Sequence, residues 1–125
     1  MKKEKTDRKR INCGLRLRLR IVGLSGDAFG PGKAQLLEEI EKTGSLREAA
    51  AALEMSYMKA WRLTNAMKAN FRAPLLEKSR GGSTRGGTQL TESGRKVLAI
   101  YHRMTSQADR AAQKEWKTLS TFLKK

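Results

Sequence analysis

The chain has 125 residues, 27 lysines and arginines against 12 acids, and a formal net charge of +15. That length fits one domain with a small core, and the charge draws polyanions without fixing fold or specificity. The single cysteine, Cys13, excludes an internal disulfide and points to a reducing, cytoplasmic setting, and no apolar run approaches the ~20 residues of a membrane span.

The first fourteen residues open with MKKEKTDRKR and lack an apolar stretch behind the charges, so they read as a flexible basic arm rather than a secretory signal. From Leu15 to Val22, Leu15, Leu17, Leu19 and Ile21 alternate with Arg16, Arg18 and Arg20, the period of a half-buried strand. Two readings of the arginine ladder stand: charges that keep an edge strand soluble, or contacts to phosphate or an acidic partner. Gly26 to Gly32 (GDAFGPG) reads as a loop on its glycine and proline content. A helix is predicted from Pro31 or Gly32 to Thr43, with Leu36, Leu37 and Ile40 inward and Gly44 as its stop. Glu38, Glu39 and Glu41 are expected on its exposed face.

The next segment, SLREAAAALEM, begins with Ser45 and Glu48 at capping-box spacing, and Leu46, Ala49, Ala50 and Leu53 form one apolar stripe. Glu54 and Met55 leave room only for a tight turn before Ser56, which is placed to cap SYMKAWRLTNAMKANF. An alanine-rich helix, a tight turn and a second helix fit a helix-turn-helix. At about 100° per residue, Tyr57, Ala60, Trp61, Leu63, Thr64, Met67 and Phe71 project inward. Met58, Lys59, Arg62, Asn65 and Ala66 project outward. Lysine, arginine and asparagine on that face can meet guanine, adenine or phosphate, and the backbone N–H groups at Ser56 and Tyr57 favour an anion. The competing reading of Lys59 and Arg62 is a plain solvated face.

Ala73 and Pro74 break the helix. Leu75 to Ser79 and Thr88 to Leu90 read as paired strands around RGGSTRGG, where glycines permit close backbone approach and Arg80, Ser83, Thr84 and Arg85 put polar groups at the tip. A basic wing along a groove or on phosphates is expected. A phosphate-binding loop would need a Gly-Lys-Ser/Thr end, an RNA-binding Arg-Gly-Gly tract is usually longer, and a plain mobile loop remains the bland alternative. Thr91 caps a last helix of about 25 to 30 residues, longer than so small a core covers. Its stripe of Leu98, Tyr101, Thr105, Ala108 and Ala112 is expected to pack against a second copy, the alternative being a helix folded back on its own domain. His102 reads as a packing or interface residue. The expected organisation is an arm (1–14), a winged helix-turn-helix (15–95) and a dimerisation helix (96–125), in a mainly α fold with a small β-sheet.

Ser-Tyr-x-x-Ala-Trp at Ser56 to Trp61, followed by the glycine-rich segment ending in Leu-Thr-x-x-Gly at Leu90 to Gly94, resembles the DNA-binding domain of ModE-type molybdate-responsive regulators. That domain is itself similar to the winged helix-turn-helix of LysR-type regulators. The resemblance covers roughly Leu15 to Tyr101. It implies a dimeric cytoplasmic regulator of molybdenum-related genes on a near-palindromic duplex operator, with Ser56 opening the recognition helix and Arg80 to Gly87 as the wing. The family's C-terminal oxyanion-binding barrels have no counterpart before Lys125, so no cofactor is expected, and two readings stand: a stand-alone repressor, or a regulator that relies on a separate sensor. With one histidine, one cysteine and scattered acids, neither a metal centre nor an enzyme is expected. The other binding class left open is a non-specific architectural or RNA-binding protein acting through charge.

Overall fold

A computed structural model of the chain describes residues 13–79 and 87–124. The elements are β1 (Ile21–Gly23), β2 (Gly26–Phe29), α1 (Pro31–Thr43), α2 (Leu46–Ala52), α3 (Tyr57–Asn70), β3 (Leu76–Lys78), β4 (Thr88–Leu90) and α4 (Glu92–Ser120). β1 and β2 form one antiparallel hairpin and β3 and β4 another, the second in the register Leu76–Leu90, Glu77–Gln89 and Lys78–Thr88. The fold is mainly helical with small sheets, as the patterning predicts.

α1 is the centre of the core. Leu36, Leu37 and Ile40 are fully buried, and α2, α3, α4 and β4 all pack against this helix. Its limits follow from local chemistry: Pro31 occupies the first turn, where its missing N–H costs nothing, and Gly44 closes the helix in the left-handed region at φ 72°. Phe29 joins the hairpin to this core, edge-on to Phe71 at 6.1 Å and to Tyr101 at 5.1 Å between ring centroids.

Three expectations are corrected. Residues 15–20 keep the predicted alternation, leucines half-buried and arginines exposed, but only Ile21–Gly23 is strand. Pairing ends there because β2 is four residues long and Pro31 turns the chain into α1. Conversely, Gly26–Phe29, read as loop, is β2, since Gly26 takes the turn at φ 102° and the three residues after it pair back or pack inward. Glu38 and Glu39 are half-buried rather than free: Glu38 Oε2 lies 2.7 Å from His102 Nε2, a contact between α1 and α4. Arg20 from the arginine ladder meets Asp27 at 3.6 Å across the hairpin.

The N-terminal segment is docked through Tyr101, whose hydroxyl donates to the Leu19 carbonyl at 2.7 Å. Burial pushes the Tyr101 phenol above its ordinary value of 10.0, opposed by a hydrogen bond from Thr105 and by the nearby Arg18 charge. A raised folded value means the native state holds this proton longer than the unfolded chain. The stability it contributes is therefore fully present below pH 10.0 and is lost as pH rises through the folded value. Tyr101→Phe is expected to cost about 1 kcal/mol at neutral pH and to remove this part of the alkaline decline. Urea unfolding of both proteins from neutral to about pH 11 checks it; parallel pH profiles would refute the docking role of the hydroxyl.

Candidate nucleic-acid interface

The turn between α2 and α3 is set by a short set of backbone bonds. Leu53 ends α2, Glu54 enters the left-handed region at φ 56°, and its N–H donates to the Ala51 carbonyl while that of Met55 donates to Ala50. These are the two bonds of a Schellman closure, with the half-buried Met55 packing against the core. Ser56 Oγ then accepts from Lys59 N at 3.0 Å and starts α3. Ser45 caps α2 likewise, accepting from Glu48 N at 3.1 Å, but the reciprocal half of the predicted box is filled differently: Ser45 N donates to Thr43 Oγ1. Ala49 and Ala50 are buried with Ala60, so small side chains let α2 and α3 cross closely.

α3 buries Ala60 and Met67 and exposes Met58, Lys59 and Arg62, which share the outward face as predicted. Asn65 and Ala66 are half-buried at its margins. Two aromatic residues depart from the predicted inward face: Tyr57 is 39% and Trp61 is 47% exposed. Both lie where α3 meets the second hairpin, and β3 and β4 stand off from the helix there instead of closing over the rings. The result is a groove of about 350 Å³ between α3 and β3–β4, walled by Trp61, Asn65 and Lys68 on one side and Leu76, Lys78 and Thr88 on the other. Asn65 thus lines the groove rather than the outermost face.

The opposite flank of α3 is held by Asn70. Its side chain donates to the Ala66 carbonyl at 2.8 Å and accepts from Ser25 N at 2.8 Å, fastening the β1–β2 turn to the end of the helix. The composition alone gave no sign of this clamp, because an asparagine near a helix end has many uses.

β3 and β4 are the predicted wing strands. The ladder continues one step as Ser79 N donates to Gly87 O at 3.0 Å, and Thr88 N donates to Gly44 O at 2.9 Å, anchoring the hairpin to the end of α1. Arg80, Ser83, Thr84 and Arg85, assigned to the wing tip, lie outside the described residues.

α4 starts at Thr91, whose hydroxyl accepts from Gly94 N at 2.9 Å, and runs unbroken across residue 95 to Ser120. Leu98 and Tyr101, expected on a free dimerisation stripe, are each 8% exposed and belong to the domain's own core. The correction has a packing reason: the first turns of α4 lie against α1 and β4, so the stripe is spent there. Thr105, Ala108 and Ala112 are half-buried, Thr105 donating to the Tyr101 carbonyl at 3.1 Å. Ile100, Met104, Leu119, Phe122 and Leu123 are the large apolar groups α4 and its end leave exposed.

Comparison with known proteins agrees with this arrangement. Residues 32–95, just over half of the 125, match the model of the bacterial regulatory helix-turn-helix protein, lysR family. The chain belongs to that family. The matched span runs from α1 through the helix-turn-helix and both wing strands to the first turn of α4. The chain is 40% identical over 76 residues to the Molybdenum transport protein ModE of Azotobacter vinelandii, covering 61% of the chain and 28% of that protein. It is 39% identical over 71 residues to the Transcriptional regulator ModE of Haemophilus influenzae, covering 57% and 28%. Against the DNA-binding transcriptional dual regulator ModE of Escherichia coli the identity is 32% over 71 residues, covering 57% and 27%. The matches thus span under a third of each relative. No described helix of this lysR-family chain is long and apolar enough to cross a membrane.

Proposed function

We propose that this chain is a sequence-specific, dimeric regulator of transcription that binds duplex DNA and controls molybdate transport or other molybdenum-related genes in the cytoplasm. The observation that carries the reading is the shared outward exposure of Lys59 and Arg62 on α3, beside a groove to the wing strands, inside a helix-turn-helix span. A helix presenting an exposed lysine and arginine, neither in an ion pair among the described residues, enters the major groove with those side chains at base edges. The hairpin of β3 and β4 then lies on the backbone or in the minor groove. The link to molybdenum rests on the name of the Azotobacter vinelandii relative, a molybdenum transport protein, and the link to transcription on those of the other two. The helix-turn-helix match favours a DNA-binding regulator over an enzyme.

Dimerisation is supported by the length of α4 and by the apolar Leu119 and Phe122 exposed at its far end. Two copies joined through the distal half of α4, with Thr105, Ala108 and Ala112 near the contact, would offer recognition helices to half-sites about 34 Å apart.

The test is a binding competition between the DNA upstream of the chain's own gene and random duplex at fixed salt. A preference of about a thousandfold or more for the upstream DNA is expected. Equal affinity for both, or for RNA and single strands, would leave a cationic protein that binds nucleic acid without reading it.

A further inference from the structure

We infer that Arg47 is a DNA-backbone contact and that Tyr57 acts as the residue that positions it, an assignment resting on the duplex-DNA reading above. Arg47 is the second residue of α2, and Tyr57 is the first of α3. Across the crossing of the two helices, the Arg47 guanidinium carbon lies 4.5 Å from the centroid of the Tyr57 ring. Both side chains are exposed. Among the described residues, no carboxylate lies within ion-pair distance of Arg47. Its charge is therefore held in place by an aromatic face and left unneutralised.

The geometry favours an anionic ligand for a chemical reason. A guanidinium whose central carbon sits over a ring is attracted to that ring by its charge and keeps N–H donors for a second partner. Those donors are the part that matches phosphate oxygens. Holding the group on Tyr57 also removes rotamer freedom before the ligand arrives, which a freely solvated arginine would have to lose on binding. The contact stands at the start of the recognition helix, where Leu46 and Tyr57 are among the residues lining the groove to the wing. In a helix-turn-helix the first helix crosses the sugar–phosphate backbone while the second enters the groove. Arg47 is thus on the helix that meets phosphate, and Lys59 and Arg62 are on the one that meets bases.

The sequence marks Tyr57 for DNA through its backbone N–H at the helix start and carries no signal for Arg47, because an exposed charge on a short helix has no pattern of its own. The contact joins residues ten apart in the chain through the turn at Glu54, and only the folded crossing brings them together.

The experiment measures affinity for upstream and random duplex, each over a range of salt, for the full chain and for Arg47→Ala, Tyr57→Phe, Tyr57→Ala and the Arg47→Ala/Tyr57→Ala pair. Arg47→Ala is expected to weaken both duplexes alike by at least about tenfold and to flatten the salt slope by about one unit per protomer, about two for the proposed dimer. Tyr57→Phe, which keeps the ring, is expected to bind as wild type, and Tyr57→Ala to lose about threefold on both duplexes. The double variant should be no weaker than Arg47→Ala alone, because the ring acts through the arginine. Unchanged affinity and slope in Arg47→Ala would overturn the assignment. So would a Tyr57→Phe loss as large as that of Tyr57→Ala, or a change of base preference in Tyr57→Ala. Both Arg47→Ala and Tyr57→Phe are surface changes that leave the fold intact, so these arms stand even if Tyr57→Ala is destabilised. A wild type without preference for upstream DNA would sink the regulator reading alone, since the Arg47 effect is read on any duplex.

Discussion

Gly94→Ala is expected to destabilise the protein by about 3 kcal/mol and to lower its Tm by roughly 10 °C. Gly94 is buried in the first turn of α4, and a Cβ there would be driven into the Leu75 carbonyl oxygen, with the carbonyl carbon at 3.1 Å. The obstacle is backbone, so no rotamer change relieves it. That carbonyl is also fixed, because it accepts from Thr91 N at 2.9 Å. Alanine's better helix propensity returns at most about 1 kcal/mol, less than the overlap costs. The strain would push α4 away from the strand leading into the wing, so DNA affinity should fall together with stability. Thermal unfolding and a binding titration on the same sample check both, and a Tm within a degree or two of wild type would show that the contact relaxes freely. The glycine of the Leu-Thr-x-x-Gly motif thus has a physical purpose: it is where a helix start touches the chain that carries the wing.

The second large effect is expected at Arg62. On the proposed reading, Arg62→Ala should lower discrimination at one or two base positions by about 1–3 kcal/mol, roughly 5- to 150-fold, while affinity for random duplex changes little. Lys59→Ala, one turn earlier on the same exposed face, should act more weakly, since an ammonium makes single rather than paired contacts to guanine. Binding to operators altered one base pair at a time reads the difference. A uniform loss across all sequences would place Arg62 on phosphate, and Asn65 beside the groove would then be the next candidate reader. The contrast with Arg47 is deliberate: one arginine should change preference, and the other should change only strength and salt dependence.

Local chemistry explains why much of this fold was readable in advance. α1 begins and ends where Pro31 and Gly44 put it, and Ser45, Ser56 and Thr91 cap the three following helices through bonds to residues three positions on. Such bonds involve neighbours in the chain, so residue type and spacing suffice to find them. The strands were less legible. Gly26 and Pro31 made the stretch between them look like loop, yet pairing with Ile21–Gly23 turns it into β2. Strand pairing is a relation between segments, and a four-residue strand carries too short a pattern to announce it.

The site divides in the same way. Met58, Lys59 and Arg62 face outward because helical geometry alone separates them from Ala60 and Met67. Tyr57 and Trp61 sit at the border of the two faces, where projection cannot decide, and the distance kept by β3 and β4 leaves them open. Leu98 and Tyr101 form an apolar stripe that would serve a partner helix or the domain's own core equally well. Packing against α1 and β4 chose the core.

From the order of residues alone came the helices, their caps, the tight turn and the polarity of the outward face, because each depends on contacts within a few positions. Only the assembled chain could decide which border residues stay open, where Asn70 clamps the first hairpin, and that Arg47 lies on Tyr57. Those outcomes depend on how separate elements approach one another in space, a quantity set by the sum of all their packing rather than by any one stretch of sequence.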